Sequence, residues 1–195
     1  MAKEYLDGFQ RTLENGLVKI CSGAGVISDR ITRSDDEGAL SVLISPDIEG
    51  RWEAFLKDYV ADAVQNFNQW PDAALAWPAF LGMAVANGWD KDWKNHANDS
   101  YTSFYGSRGW DDMDEHILYE VLHLGQEYGA KLSDVLLSCS QAVTGLLRHD
   151  GIEAQTETGF YCLVRAYGVM FRIGAAIELE RLGYGKGVIP SPASF

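Results

Sequence analysis

Cysteine is scarce in this chain. Cys21, Cys139 and Cys162 are an odd number with no C-x-x-C spacing, which excludes a fully paired disulfide framework and supplies no zinc knuckle; all three are expected as small buried hydrophobes. Basic side chains are also few, sixteen Lys and Arg against twenty-eight Asp and Glu, for a net charge of −12. Binding to a phosphate backbone is driven by basic groups that displace counterions, so direct nucleic-acid binding is disfavoured. The opening Met-Ala-Lys-Glu-Tyr-Leu-Asp lacks the basic segment and apolar run of a secretion signal, and a cytoplasmic location is expected. Nucleophile and nucleotide motifs are missing too. No Gly-x-Ser-x-Gly elbow occurs around Ser138-Cys139-Ser140, and Gly23-Ala24-Gly25 has neither a third glycine nor a clear preceding strand.

What is present is a chain of 195 residues, 47% of them hydrophobic. That is enough for one well-buried core, so a single domain over 1–195 is expected. The charge is unevenly placed. Residues 151–195 are neutral, with Glu153, Glu157, Glu178 and Glu180 balanced by Arg165, Arg172, Arg181 and Lys186. The whole acidic excess therefore lies in 1–150, and the stretches 34–50 and 109–130 contain acids with no Lys or Arg. Such charge suits a cationic protein partner or serves solubility alone.

Apolar side chains recur every three or four residues in three segments, which predicts helices and an all-α, multi-helical bundle. The first runs through Leu6, Phe9, Leu13, Leu17 and Ile20, before Gly23 and Gly25. The second runs through Trp52, Phe55, Leu56, Tyr59, Val60, Ala63, Val64 and Phe67, with Glu53, Lys57, Asp58 and Asp62 facing away. Leu132, Val135, Leu136, Cys139, Ala142, Val143, Leu146 and Leu147 make the third. Trp70-Pro71-Asp72 reads as a break and a new start. Pro78 is expected to kink or split the segment from Asp72 to Asn87. Gly-Trp-Asp at 88–90 and 109–111 is expected each time to end one helix and cap the next.

Residues 24–50 admit two readings, a small β-hairpin around Ser34-Asp35-Asp36-Glu37-Gly38 or an irregular excursion between helices. The segment 184–195, with Gly185, Gly187, Pro190 and Pro192, is expected to be a non-helical tail. In Phe160–Ile177, sixteen of eighteen residues are apolar or Gly, and only Arg165 and Arg172 are charged. A membrane span is disfavoured, because each arginine costs roughly 2.5–3.5 kcal/mol near the bilayer centre. The helix is either the centre of the domain or a contact with a second copy; the small residues Gly168, Gly174, Ala175 and Ala176 favour the second and a homodimer. Arg165 and Arg172, seven apart, suit either an anionic ligand or acids facing the core.

Asp112, His116, Glu120 and His123 fall within an arc of about 80° if 111–124 is an α-helix. Imidazole and carboxylate on one face can hold a divalent metal or move protons, with His96, or His149 and Asp150, completing the set. The alternative is the wet side of an amphipathic helix. Glu120-Val-Leu-His123 resembles the Glu-x-x-His element of ferritin-like di-iron bundles, which use two such elements; this chain has one. His149-Asp150 resembles the paired ligands of HD-type metal phosphohydrolases, which implies a further Asp downstream; none follows Asp150. At a helix end, the same His-Asp-Gly151 reads as a dipole partner, a turn acid and a stop.

Between Trp89 and Trp110, the rings Trp89, Trp93, Tyr101, Phe104, Tyr105 and Trp110 are interleaved with Asn, Asp and Ser. Aromatics among small polar groups suit a recognition surface, with Trp89, Trp93, Tyr101, Tyr105 and Trp110 as its anchors, and suit equally a short helix packing its rings inward. The leading functional expectation is an acidic helical protein-interaction domain, homodimeric, that takes a cationic partner. A metal-dependent hydrolase using the 112–123 stripe comes second. An acidic surface that competes with nucleic acid for a basic protein comes third.

Overall fold

The computed structural model describes residues 3–66 and 71–189. Helix α1 spans Lys3–Gly23, and strands β1 (Thr32–Ser34) and β2 (Leu40–Val42) follow. Next come α2 (Pro46–Asn66), α3 (Pro71–His96) and a short α4 (Met113–Glu115) that runs into a π-helix at His116–Val121. Helices α5 (Gln126–His149) and α6 (Glu157–Arg181) complete a mainly α-helical fold.

The three periodic stripes form inward faces, except that Val64 of the second is exposed and Asp62, expected to face away, meets the Tyr101 and Tyr105 hydroxyls. Phe9, Leu13 and Leu17 of α1, Trp52, Phe55 and Tyr59 of α2, and Leu132, Leu136, Cys139 and Val143 of α5 are all buried in one continuous core. Of the two readings open for 24–50, the hairpin is the one observed: β1 and β2 pair antiparallel, Thr32 with Val42 and Ser34 with Leu40. Its turn closes on Asp35, whose carboxylate accepts the amides of Glu37 at 3.0 Å and Ala39 at 2.8 Å. Phe67, Trp70, Pro190 and Pro192 lie outside the described residues.

Helix α6 is the axis of the fold. It packs along α3 and also meets α1, α2 and α5. The α3 contact is backbone against backbone: a Cβ on Gly82 would lie 2.0 Å from the Phe171 carbonyl oxygen, and one on Gly174 would lie 1.8 Å from that of Ala79. No side chain fits between the two helices at either point. Gly168 in turn sits under the Trp52 indole, whose Nε1 would be 3.1 Å from an added Cβ. The small residues expected to admit a second copy are thus occupied within the chain, with Ala175 and Ala176 fully buried. Among the described residues α6 is the one helix long and apolar enough to cross a membrane, and 67% of that stretch is buried inside the protein.

A helix buried on so many sides must have its charges satisfied internally. Arg172 pairs with Glu14 of α1 at 3.3 Å and with Glu49 of α2, and it also donates to the Val42 carbonyl of β2 at 3.3 Å. Glu14 accepts the Val42 amide at 3.0 Å as well. One buried charge cluster therefore ties three helices and the hairpin together. Further along, the fully buried Glu178 receives Asn87 Nδ2 at 2.7 Å and two nitrogens of Arg181 at 2.6 and 2.7 Å.

Two expected breaks lie elsewhere. Pro78 sits inside α3 without interrupting it, and the one residue of α3 with non-helical angles is Asp92 (φ −162°, ψ 73°). Proline denies the carbonyl four residues back its usual donor; here that carbonyl, Ala74, accepts the buried Tyr59 hydroxyl of α2 at 2.6 Å. Gly88-Trp89-Asp90 likewise belongs to α3, and the bend at Asp92 turns His96 back onto Gly88, where an added Cβ would lie 3.1 Å from that of His96. At Gly109 (φ +76°) a 3-10 turn over Trp110–Asp112 begins, but among the described residues no helix ends there and Asp111 lies within the turn, where it makes no capping hydrogen bond.

Replacing Gly82 or Gly174 by Ala forces the two backbones apart, and each change is expected to cost at least about 2 kcal/mol of stability in urea unfolding. Gly145, exposed on α5 with nothing near its missing Cβ, is the control: Gly145→Ala should gain about 0.5–1 kcal/mol. Equal effects at the three positions would remove the close crossing as an explanation.

Candidate functional site

The segment from Gly106 to His123 carries the candidate stripe, and it is not one α-helix. A 3-10 turn, one α-turn and a π-helix follow one another, with the i→i+5 bond Leu122 N to Ile117 O at 2.9 Å. The wider turn changes the register on which the 80° arc depended. His116 Nδ1 and Glu120 Oε2 still meet at 3.0 Å. His123 does not continue the helix: its φ of +53° is left-handed, it is exposed, and it follows the last π-helical residue, Val121, by two positions.

Asp112 is committed to the fold. Its carboxylate accepts the Arg108 amide at 3.0 and 3.1 Å and the Ser107 hydroxyl at 3.1 Å, and it is only 6% exposed. Desolvation opposes its ionisation, but the Arg108 amide, the Ser107 hydroxyl and the Arg108 guanidinium outweigh that and hold its pKa below the ordinary value. It anchors the 106–109 loop. The other histidines likewise lie beside acids of their own neighbourhood, His96 with Asp99 at 2.8 Å and His149 with Asp150 at 3.0 Å. Among the described residues no three His, Cys, Asp or Glu side chains are grouped to hold a metal ion. His149-Asp150-Gly151 closes α5, with the Asp150 amide bonded to Leu146 O at 3.0 Å and the Gly151 amide to Arg148 O at 3.1 Å.

Of the five expected aromatic anchors Tyr101 is buried, and Trp89, Trp93, Tyr105 and Trp110 are partly buried and packed against the core. Tyr101 is 2% exposed and lies edge-on to Phe55 and Tyr59; its hydroxyl, with that of Tyr105, bonds Asp62 of α2. Burial and the Asp62 carboxylate push the Tyr105 hydroxyl up to about 12. Trp110 tilts against Trp77, whose Nε1 donates to the Trp110 carbonyl at 2.6 Å, and Trp89 packs edge-on to Tyr184. Trp93 is half-buried against the core. Of the two readings for this stretch, rings packed inward is the arrangement observed.

The two acid-rich stretches differ in what neutralises them. In 34–50, Asp35 and Glu37 both bind Arg11 at 2.6 Å and Glu49 binds Arg172. Their cations come from α1 and α6, far away in sequence. In 108–120, Arg108 serves Asp112 and Glu115, while Asp111 and Asp114 have no Lys or Arg partner among the described residues. Desolvation, foremost, and the like charges of Glu115 and Asp112 raise the pKa of Asp114 against the pull of backbone amides. Asp111, Glu115 and Glu120 are exposed. Sequence reasoning marked the acid-only stretch, and within it Asp111 and Asp114 are the acids without a Lys or Arg partner among the described residues.

Compared with known proteins, the chain matches no family model, no curated protein and no solved structure.

Asp112→Ala should cost about 1.5–3 kcal/mol, the range for hydrogen bonds to a charged group. His116→Ala removes one i,i+4 pair and should cost about 0.5 kcal/mol. Urea unfolding of both variants checks this; a larger loss at His116 than at Asp112 would reverse the assignment.

Proposed function

We propose that this protein is a non-enzymatic interaction domain that takes a cationic protein segment, rich in Lys or Arg, on the acidic face formed by Asp111, Asp114 and Glu115. One observation carries the reading. Asp114 is held against its ionised form by desolvation first and then by the like charges of Glu115 and Asp112, and Asp111 and Asp114 have no Lys or Arg partner among the described residues. An incoming ammonium or guanidinium relieves that repulsion and gains attraction from several charges at once. In 34–50 three acids, Asp35, Glu37 and Glu49, already have arginine partners, so that stretch offers a basic segment less. A basic protein that otherwise binds nucleic acid would use the same chemistry, so the nucleic-acid-competing role is a special case of this proposal.

Titration with a lysine-rich and an arginine-rich peptide, followed residue by residue by NMR, tests it. Shift changes should centre on 108–120 and shrink with added salt. Replacing Asp111 and Asp114 by Asn and Glu115 by Gln should weaken binding about tenfold, from three rim charges worth about 0.5 kcal/mol each. Shifts centred on 34–50, or affinity untouched by the triple replacement, would contradict the proposal.

A further inference from the structure

A groove of about 570 Å³ lies between α1, the hairpin and α6. Its walls carry three arginines from three elements, Arg11 of α1, Arg33 of β1 and Arg165 of α6, in a protein whose acids far outnumber its bases. We infer that this groove binds a small anion bearing a carboxylate or phosphate group, gripped by Arg33 and Arg165.

The argument rests on how the charges in the groove are spent. Arg11 is taken by Asp35 and Glu37. Glu14, at the base of the groove, is taken by Arg172 and by the Val42 amide. Arg33 has no carboxylate partner among the described residues; its Nε donates to the Ser41 hydroxyl at 3.0 Å, which leaves the terminal guanidinium nitrogens available. Arg165 donates to the neutral Gln10 side chain at 2.9 Å and reaches Asp7 only at 3.4 Å. Arg33, with no carboxylate partner among the described residues, and Arg165, whose one pair with Asp7 is long at 3.4 Å, therefore line one concavity, whose volume lies in the range of small-ligand sites. Ser34 in the same wall adds a hydroxyl donor, and a guanidinium fork matches the paired oxygens of a carboxylate or phosphate.

The groove is also built to keep its shape. The hairpin wall is fixed to α1 by the Leu40 amide on Asn15 Oδ1 at 3.0 Å and by the Arg11 pairs. Desolvation disfavours ionised Asp35, yet the Ala39 and Glu37 amides and the Arg11 guanidinium more than offset it and lower its pKa, so that wall remains charged and latched near neutral pH. Less ordering is then left for a ligand to impose. Arg172, the other arginine of the α6 pair, is held inside and takes no part.

The test is calorimetric titration of the whole chain with inorganic phosphate and, separately, with succinate, at constant ionic strength set by chloride. Saturable binding of one molar equivalent is expected for at least one of them. Binding of phosphate alone identifies a phosphate ligand, of succinate alone a carboxylate ligand, and of both a site that reads the shared oxygens. Arg33→Gln and Arg165→Gln should each weaken the binding at least about tenfold, the loss expected for a charge-assisted hydrogen bond. Both residues are accessible and their variants should retain the parent circular dichroism. Arg148→Gln, on α5 and outside the groove, should bind as the parent does. No saturable binding of either anion, binding that Arg33→Gln and Arg165→Gln leave intact, or equal weakening in Arg148→Gln would overturn the inference.

Discussion

Two helix backbones that touch set the terms for the rest of this molecule. Where Gly82 of α3 meets Phe171, and Gly174 of α6 meets Ala79, the missing Cβ atoms would lie 2.0 and 1.8 Å from carbonyl oxygens. Contact that close brings most of α6 under cover, from Cys162 to Leu179, while Phe160 and Tyr161 at its start stay exposed. Burial then dictates chemistry. Charges on a covered helix cost several kcal/mol each unless paired and hydrogen-bonded, and Arg172 and Glu178 are both satisfied from neighbouring elements. Arg172 is the hub: through Glu14, Glu49 and the Val42 carbonyl it places α1, α2 and the hairpin around α6. The arginine-lined groove is a consequence, since its base is this same cluster.

Local pattern revealed the elements whose burial is one-sided. The stripes of α1, α2 and α5 each face a single core, so periodicity alone located them. It carried less information for α6, where covering on all sides erases the stripe and the sequence cannot say whether the cover comes from the same chain. Pro78 was misread for a related reason. The donor that rescues the Ala74 carbonyl is the Tyr59 hydroxyl, on a different helix, and no local rule anticipates a bond of that kind. The bend at Asp92 and the π-helix at His116–Val121 have no sequence marker comparable to Pro or Gly. An α-helical arc drawn through them brought Asp112 and His123 onto a stripe that the backbone does not make.

The charges tell a similar story in two halves. An acid-only stretch looks the same in sequence whether or not distant arginines come to meet it. Arg11 and Arg172 meet Asp35, Glu37 and Glu49 in 34–50, while in 108–120 Arg108 alone serves Asp112 and Glu115. The difference between a neutralised turn and an open acidic face is therefore tertiary. Likewise the aromatic run from Trp89 to Trp110 reads as a surface or as a core with equal ease, and its fate was decided by Phe55, Tyr59, Asp62 and Trp77, side chains from α2 and α3 that receive the rings.

If the α3–α6 crossing governs the fold, its backbone amides open only when everything else does. Native-state hydrogen exchange under increasing denaturant measures this directly. Amides of 81–85 and 171–175 should be the slowest in the chain and should exchange with the free energy of global unfolding, while those of α1 and the hairpin open earlier. Exchange of the crossing amides at lower free energy than those of α5 would contradict the account.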